Sequence, residues 1–229
     1  MQKEIIGPCT LYRGDCLEVM AGLADKSVEL VFTDPPYGIG IEKMSFTQDQ
    51  NGGVRFRNDY SDCFQDKKLT QKYFSEMERI SKNQIIWGGN YYAHFLAETP
   101  SWIIWNKKGD GRFSNDFADG EMAWSSFKKP LKIYHFLWTG MIQEDMKNKE
   151  KRFHPAQKPA ALMTEILRDF ATPGSIIFDG FMGSGTFGLA ALNCGCRYIG
   201  AETDPKYYNI ARERISSDEK QGRLFSNYL

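Results

Sequence analysis

The stretch "SIIFDGFMGSGTFGLAALNCGCRYIGAETD", residues 175–204, has the clearest pattern of secondary structure in the sequence. Its apolar start predicts a buried strand that ends near Asp179, and the glycines that follow predict a tight loop. The run "TFGLAALN" predicts a helix, and "RYIGAE" predicts a second strand that ends at Glu202. Strand–loop–helix–strand units are typical of parallel sheets covered by helices. We therefore predict an α/β fold.

The glycine loop has the spacing of a nucleotide-binding turn. Gly183, Gly185 and Gly188 fit the pattern G-x-G-x-x-G between a predicted strand and a predicted helix. Small residues let a ligand approach the backbone, N–H groups at a helix start attract anions, and a carboxylate such as Glu202 accepts ribose hydroxyls. The loop therefore indicates an adenosine-bearing ligand, and a turn packed for structural reasons alone is the alternative.

A second unusual segment, "DPPYG", follows the apolar run "VELVFT" and occupies residues 34–38. Each proline fixes its own φ, lacks an N–H and restricts the residue before it to extended conformations. The segment therefore cannot continue a strand ladder, and it should form a stiff projection that holds Asp34 and Tyr37 at a fixed separation. In a parallel sheet, this projection and the glycine loop would both lie at the carboxyl ends of strands, where ligands bind.

The chain outside these two segments alternates predicted strands and helices, which favours a single domain over residues 1–229. Residues 41–66 are polar and predict a long mobile loop. The predicted strands are 10–14, 28–33, 83–89, 101–107, 121–127 and 132–138, and the predicted helices are 16–23, 69–81, 90–98, 158–171 and one after residue 204.

Composition limits the function classes. The chain has 229 residues, of which 41% are hydrophobic, and its 29 basic residues balance 29 acidic ones, which indicates a globular protein without excluding a local basic patch. No apolar run approaches the ~20 residues of a membrane span, and the start lacks a signal peptide. Because the five cysteines form no paired framework, we expect a cytoplasmic protein. Cys194 and Cys196 fit no common zinc spacing, and we expect no metal.

Three segments in order carry a family resemblance. "DPPYG", then "HPAQKP" at 154–159, then "FDGFMGSGT" at 178–186 resemble the S-adenosylmethionine-dependent amino-group DNA methyltransferases. The catalytic motif precedes the cofactor motif, as in the permuted β group of that family. The resemblance covers about Leu11 to Ile215, with gaps in the loops. It implies a mostly parallel, Rossmann-like sheet with helices on both faces, and S-adenosyl-L-methionine as the cofactor.

The resemblance assigns roles by position. Gly180 stands where the family more often has proline, which should loosen the loop slightly. The implied catalytic residues are Asp34, Pro35, Pro36 and Tyr37. The implied cofactor-binding residues are Asp15, Cys16, Asp34, His154, Gln157, Lys158, Asp179, Phe181, Gly183, Ser184, Gly185, Thr186 and Glu202.

The chemistry explains the proline segment. An exocyclic base amine is a poor nucleophile because its lone pair is delocalised into the ring. Asp34 and the Pro35 carbonyl can each accept one N–H, which draws the nitrogen toward pyramidal geometry and frees the lone pair for attack on the sulfonium methyl. The base must leave the duplex to be reached, and Tyr37 would stack on it.

Several functions stay open from the sequence. Asp34 favours adenine N6 as the methyl acceptor, because cytosine-N4 relatives more often have serine there. Methylation of another planar amine, such as an RNA base or a protein amide, fits less well, because those relatives usually have asparagine before the two prolines. An NAD-linked oxidoreductase using the glycine loop lacks the sheet that should follow it. A catalytically silent DNA-binding module does not need the intact Asp34 and Tyr37.

Double-stranded DNA is the expected partner, and its contacts should come from basic residues. The small region 107–153 is the candidate for target recognition, and the loop 41–66 is a second candidate surface. A homodimer, a restriction endonuclease partner and a bacterial or phage-infected host cell are open alternatives. The candidate DNA-binding residues are Arg55, Arg57, Lys107, Lys128, Lys129, Lys132 and Arg152.

Overall fold

A computed structural model describes five stretches of the chain. These are residues 1–39, 66–108, 118–139, 142–153 and 156–226. The predicted loop 41–66, except for its last residue, lies outside the described residues, together with Arg55 and Arg57. His154 of the "HPAQKP" segment also lies outside them.

A nine-stranded sheet forms the centre of the fold, and two further strands form a separate hairpin. The strands of the sheet are β1 (Gln2–Ile6), β2 (Cys9–Arg13), β3 (Val28–Thr33), β4 (Ser81–Trp87), β5 (Trp102–Asn106), β6 (Gly120–Ser125), β7 (Lys132–His135), β10 (Ile176–Asp179) and β11 (Arg197–Glu202). The hairpin consists of β8 (Trp138–Thr139) and β9 (Ile142–Gln143).

The order of the strands in the sheet is β1-β2-β11-β10-β3-β4-β6-β5-β7. The five adjacent strands from β2 to β4 in this order are all parallel, and β1 and β6 pair antiparallel with their neighbours. The predicted, mostly parallel α/β class is therefore confirmed.

Helices cover both faces of this sheet. Met20 and Met77, from the first two helices, belong to the buried cluster on one face, whereas Leu167, Ala190 and Ile215 belong to the cluster on the other. None of the helices in the described stretches is long and apolar enough to cross a membrane. The helices are α1 (Cys16–Ala21), α2 (Gln71–Ile80), α3 (Ala160–Phe170), α4 (Thr186–Asn193) and α5 (Pro205–Ser226).

The predicted helix at 90–98 is wrong. The chain instead forms a short 3₁₀ helix, Gly89–Tyr92, followed by turns. Side chains three residues apart lie on the same side of a 3₁₀ turn, so Tyr92 and Phe95 both pack on Phe74, with ring centroids 4.8 and 5.4 Å away. Packing of these aromatic rings therefore overrides the local helical pattern.

One strand was not predicted, and one predicted strand is divided in the structure. Strand β1 was not predicted, because its edge position leaves most of its residues exposed and its sequence has no apolar run. Strand β7 ends at His135, and Trp138 begins the β8–β9 hairpin, so the predicted strand 132–138 is two separate elements.

The central parallel strands all end at one edge of the sheet, which we call the carboxyl edge. Asp15 follows β2, Glu202 ends β11, Asp179 ends β10 and Asp34 follows β3. Four carboxylates from distant parts of the chain therefore line one edge, as expected for ligand binding in open α/β sheets. The opposite edge, where these strands begin, is called the amino edge.

The core of the sheet should carry most of the stability. Leu30 in β3 is 1% exposed, and Leu30→Ala should lower the free energy of unfolding by about 2–5 kcal/mol because it removes buried apolar contacts and leaves a cavity. Ile5 in β1 is 67% exposed, and Ile5→Ala should change that free energy by less than about 0.5 kcal/mol. Urea unfolding of both variants checks this, and equal effects would contradict the assigned core.

Candidate active site

The proline segment and the glycine loop meet at a buried carboxylate. Strands β3 and β10 pair in parallel, and the Thr33 hydroxyl at the end of β3 donates to Asp179 Oδ1 at 2.7 Å. The Phe181 N–H donates to the same oxygen at 3.1 Å, and the Tyr198 hydroxyl donates to Oδ2 at 3.0 Å. Thr33 and Asp179 are fully buried. The two predicted motifs are therefore held side by side.

Asp179 titrates unusually because of this burial. Burial raises its pKa to about 7, against the lowering effect of the hydrogen bonds from Thr33, Phe181 and Tyr198. The nearby Asp34 raises the pKa further. None of the three hydrogen-bond donors carries a positive charge, so nothing in this set compensates the desolvation of a carboxylate in full.

The proline segment holds Asp34 and Tyr37 in one cluster. The Tyr37 hydroxyl donates to Asp34 Oδ1 at 2.6 Å, and Lys158 Nζ donates to Asp34 Oδ2 at 2.7 Å. The Pro36 carbonyl accepts a hydrogen bond from the Tyr92 hydroxyl, which anchors the segment to the residues after β4. Asp34 and Tyr37 are partly buried at the carboxyl edge.

The turn after β4 fixes the orientation of the Tyr37 ring. Gly88 has a φ of 65°, in the left-handed region that favours glycine, and a Cβ on Gly88 would overlap the Tyr37 ring. Tyr91 stacks on Tyr37 with ring centroids 4.9 Å apart and an interplanar angle of 22°. A ring held by backbone contact and by a second ring is a rigid surface for a planar ligand.

Lys158 pairs with the Asp34 carboxylate and belongs to a cluster of four charged side chains. Its Nζ forms ion pairs with Asp34 Oδ2 and with Glu121 Oε2, both at 2.7 Å, and Glu121 also pairs with Lys107. Burial opposes the charge on Glu121, but the two lysines outweigh burial and lower its pKa to about 2. Sequence reasoning missed Glu121, because no local motif marks a residue in β6.

The glycine loop forms an open cradle next to Glu202. The Gly183 and Asp204 N–H groups each donate to a different Glu202 oxygen at 2.8 Å. A Cβ added at Gly183 would have the Phe181 carbonyl oxygen, 3.9 Å away, as its nearest neighbour, so space faces the loop at this point. The Thr186 hydroxyl at the start of α4 is buried and has no hydrogen-bond partner in the structure. These features fit a bound group with polar atoms.

Asp15 and Cys16 lie beside this cradle. Asp15 Oδ1 accepts a hydrogen bond from the Leu17 N–H at 2.7 Å and so caps α1. Cys16 is buried, and a Cβ at Gly180 would lie only 3.2 Å from the Cys16 Cβ. The close approach of Cys16 therefore explains a glycine at position 180, where the resembled family more often has proline.

Gln157 belongs to a polar network beneath the glycine loop. Its Oε1 accepts hydrogen bonds from the Phe153 N–H at 2.9 Å and from the Ser184 hydroxyl at 3.2 Å. Its Nε2 donates to Glu150 Oε1 at 2.8 Å, and Arg214 donates to Glu150 Oε1 at 2.9 Å and to the Ser184 carbonyl at 2.7 Å. Sequence reasoning missed Glu150 and Arg214, which carry no motif and are far apart in the chain.

The structure separates the predicted DNA-binding lysines into two groups. Lys107 follows β5 at the carboxyl edge, where it pairs with Glu121. Lys128, Lys129 and Lys132 lie between the end of β6 and the start of β7, which places them at the amino edge, because β6 runs antiparallel to β4. Lys129 and Lys132 contact Asp169 at the end of α3.

Arg152 is exposed and lies over the Trp138 ring at 4.5 Å. The backbone N–H of Trp138 donates to the Lys107 carbonyl, which holds the β8–β9 hairpin at the carboxyl edge. Arg152 and Lys107 are therefore the described members of the predicted DNA-binding set that lie on the side of the sheet where Asp34 lies. In the described stretches, no group of three or more histidine, cysteine or acidic residues could hold a metal ion.

The sequence is similar to those of known DNA methyltransferases. A family model described as DNA methylase, for N6 and N4 methyltransferases, matches residues 82–213. The type II methyltransferase M.HinfI of Haemophilus influenzae is 30% identical over 256 aligned residues, which cover 94% of this chain and 71% of that protein.

Solved structures give the same fold. The structure of the M1.HpyAVI–SAM complex has a TM-score of 0.56, 22% sequence identity, and coverage of 90% of this chain and 99% of that one. The PvuII DNA methyltransferase, described as cytosine-N4-specific, has a TM-score of 0.58 at 16% identity and covers 94% of this chain and 93% of its own. At these identities the likeness establishes the fold alone.

The raised pKa of Asp179 predicts a pH-dependent stability. Because its folded pKa of about 7 lies above its usual value near ~3.9, the group's stabilising contribution is full below about pH 4 and is lost as the pH rises through about 7. The free energy of unfolding of the natural protein, relative to Asp179→Asn, should therefore fall between about pH 4 and pH 7. Urea unfolding across this range measures the difference, and a constant difference would contradict the raised pKa.

Proposed function

Because the chain belongs to the N6/N4 family of DNA methylases, we propose that it methylates the N6 amine of adenine in double-stranded DNA. Family membership establishes an amino-group DNA methyltransferase. The observation that carries the proposal is the hydrogen bond from Thr33 to Asp179, which brings the Asp-Pro-Pro-Tyr segment beside the glycine loop. An acceptor for the amine and a cradle for the methyl donor then share one edge of the sheet.

S-adenosyl-L-methionine is the methyl donor, and it supplies an electrophilic methyl carbon on a sulfonium. Asp15 and Cys16 would hold its adenine end, and Glu202 would accept hydrogen bonds from its ribose. The buried, unpartnered Thr186 hydroxyl supports a bound polar group next to α4. The remaining proposed cofactor residues are Asp34, His154, Gln157, Lys158, Asp179, Phe181, Gly183, Ser184 and Gly185.

Asp34 and the Pro35 carbonyl are the proposed acceptors for the two hydrogens of the target amine. Accepting both hydrogens localises the lone pair on nitrogen and orients it for attack on the methyl carbon. The N–C bond would form as the bond from that carbon to the sulfonium sulfur breaks, and Asp34 would then take one proton from the methylated amine. Burial raises the pKa of Asp34, and the charge of Glu121 raises it further, against the lowering effect of Lys158. Its carboxylate is therefore a better proton acceptor than an exposed aspartate.

Tyr37 is the proposed stacking platform for the extruded base. Its ring is oriented by Gly88 and Tyr91, and its hydroxyl is held by Asp34. Stacking of a base on an aromatic side chain contributes about 1–3 kcal/mol, which offsets part of the few kcal/mol needed to unstack the base. Pro36 is proposed to hold the segment in place, because its carbonyl accepts a hydrogen bond from the Tyr92 hydroxyl.

The choice of adenine over cytosine rests on Asp34. The family includes both N6 and N4 methylases, and the PvuII enzyme of similar fold is described as cytosine-N4-specific. Cytosine N4 is therefore the second candidate acceptor. Family membership leaves no support for the NAD-linked oxidoreductase that the glycine loop alone would permit.

We propose that DNA approaches the carboxyl edge near Lys107 and Arg152. Both lie on the side of the sheet that carries Asp34, whereas Lys128, Lys129 and Lys132 lie at the amino edge. The small region 107–153 stays the proposed recognition region, and Arg55 and Arg57 stay proposed contacts outside the described residues. A restriction endonuclease partner follows only by analogy with M.HinfI, which is named a type II methyltransferase. A homodimer follows only from the family resemblance.

Removal of the proposed acceptor should abolish transfer. Asp34→Ala should lower the rate of methyl transfer from tritiated S-adenosylmethionine to DNA by at least about 1,000-fold, because the amine loses an oriented carboxylate. Cofactor binding, measured by calorimetry, should largely survive. Asp25→Ala removes an aspartate between α1 and β3 whose side chain is 75% exposed, and it should leave the rate unchanged. Full activity of Asp34→Ala would overturn the mechanism.

The product identifies the base. Digestion of the methylated DNA to nucleosides should give N6-methyladenine, as expected from an aspartate at the first position of the catalytic motif. N4-methylcytosine would replace the proposal with the second candidate and leave the family assignment intact. Transfer to RNA or protein but not to DNA would overturn the proposed substrate.

The position of the basic residues predicts which of them contacts phosphate. Arg152→Ala should weaken DNA binding and reduce the slope of log affinity against log salt by about 0.9, the effect of one lost phosphate contact. Arg152→Lys should retain the slope. Lys132→Ala, which changes a lysine paired with Asp169 at the amino edge, should leave both quantities unchanged. A reduced slope in the Lys132 variant alone would place the DNA on the opposite edge.

A further inference from the structure

Lys158 is a buried cation shared by two carboxylates. Its side chain is 4% exposed, and its Nζ lies 2.7 Å from Asp34 Oδ2 and 2.7 Å from Glu121 Oε2. The same Nζ lies 5.0 Å from the centre of the Trp87 ring. Because Pro159, the N-cap residue of α3, follows it, the backbone of Lys158 is restricted to extended conformations.

We propose that Lys158 and Glu121 are positioning residues for methyl transfer, which hold the Asp34 carboxylate in place and jointly set its charge. This inference rests on the proposed role of Asp34 as the acceptor for the target amine. Lys158 acts through its ion pair with Asp34, and Glu121 acts through Lys158. Neither residue needs to touch the base.

The geometry gives each residue a separate task. The two Asp34 oxygens have different donors, Tyr37 on Oδ1 and Lys158 on Oδ2, so the carboxylate cannot rotate without breaking one of these bonds. A lysine alone would neutralise Asp34 as a tight pair and weaken it as an acceptor. The negative charge of Glu121 offsets part of the electrostatic effect of the ammonium on Asp34, and Glu121 itself pairs with Lys107 at the start of β6.

The charge of Asp34 depends on groups from several elements. Burial raises the pKa of Asp34, Lys158 lowers it, and Glu121 raises it. Removing Lys158 should therefore raise that pKa, and removing the charge of Glu121 should lower it. Two substitutions within one contact would then shift the same titration in opposite directions, which loss of structure alone does not produce. Among the described residues, Tyr37, Tyr92 and Asp179 are further titratable groups that face Asp34, and Lys107 acts on it through Glu121.

The first readout observes Asp34 without any substrate. Protein labelled with ¹³C at the aspartate side-chain carboxyls is titrated by NMR, and the Asp34 signal is assigned by its absence in Asp34→Asn. Lys158→Met should move the Asp34 midpoint up, and Glu121→Gln should move it down. Lys158→Arg should keep it near its natural position. Lys82→Met removes a lysine that pairs with Glu29 at the amino edge, and it should move nothing.

The second readout is the pH profile of single-turnover methyl transfer to DNA. Because the ionised Asp34 is the active form, the acid limb should move with the NMR midpoint. Lys158→Met should also lower the rate at pH 7 by about tenfold or more, because Asp34 loses a bond that orients it. If Lys158→Met does not fold, Glu121→Gln and Lys158→Arg still decide the matter. An unmoved midpoint in Glu121→Gln, or shifts of both variants in the same direction, would overturn the proposal. If the midpoints shift in the variants as expected but the natural protein transfers no methyl to DNA, only the proposed function is overturned.

Discussion

The parallel pairing of β3 with β10 is the constraint on which the site depends. It places Thr33 against Asp179 and thereby sets the proline segment of one half of the chain beside the glycine loop of the other. The two segments are separated by 146 residues between these side chains, so no local interaction could bring them together. A shift of this pairing by one residue would turn Thr33 to the other face and separate the motifs.

The buried charges at the carboxyl edge are better explained by function than by stability. A buried ion pair seldom stabilises a fold more than well-packed apolar residues of the same size would. Here four charged side chains, Asp34, Lys158, Glu121 and Lys107, form a connected group in which each carboxylate has a cation. Such a group would orient Asp34, the proposed acceptor, and Lys158 would favour its charged form, as the proposed activation of the amine requires.

Local sequence was sufficient to predict the elements that form the proposed site. The glycine loop, the Asp-Pro-Pro-Tyr segment and the strands that precede them have strong local signals, because proline and glycine restrict the backbone and buried parallel strands read as apolar runs. The family resemblance then ordered these elements around one ligand. The prediction of a helix at 90–98 was wrong because contacts of Tyr92 and Phe95 with Phe74, which lies in α2, determine the conformation of this segment.

Contacts between distant residues could not be predicted in the same way. The partner of Lys158 lies 124 residues away, and Glu121 reaches it only because β6 runs antiparallel beside β4. The same strand direction places Lys128 at the amino edge, away from Asp34, which the run of basic residues around it in the sequence does not reveal. Charge along the sequence therefore identified basic residues but not the side of the sheet on which they lie.

The most informative measurement is a crystal structure of the protein with S-adenosylmethionine. The donor should lie in the cradle of Gly183–Thr186 and also contact the cluster around Asp34, so that one cleft at the ends of β3 and β10 serves both halves of the reaction. A donor bound away from the end of β3, with no contact to that cluster, would contradict this arrangement.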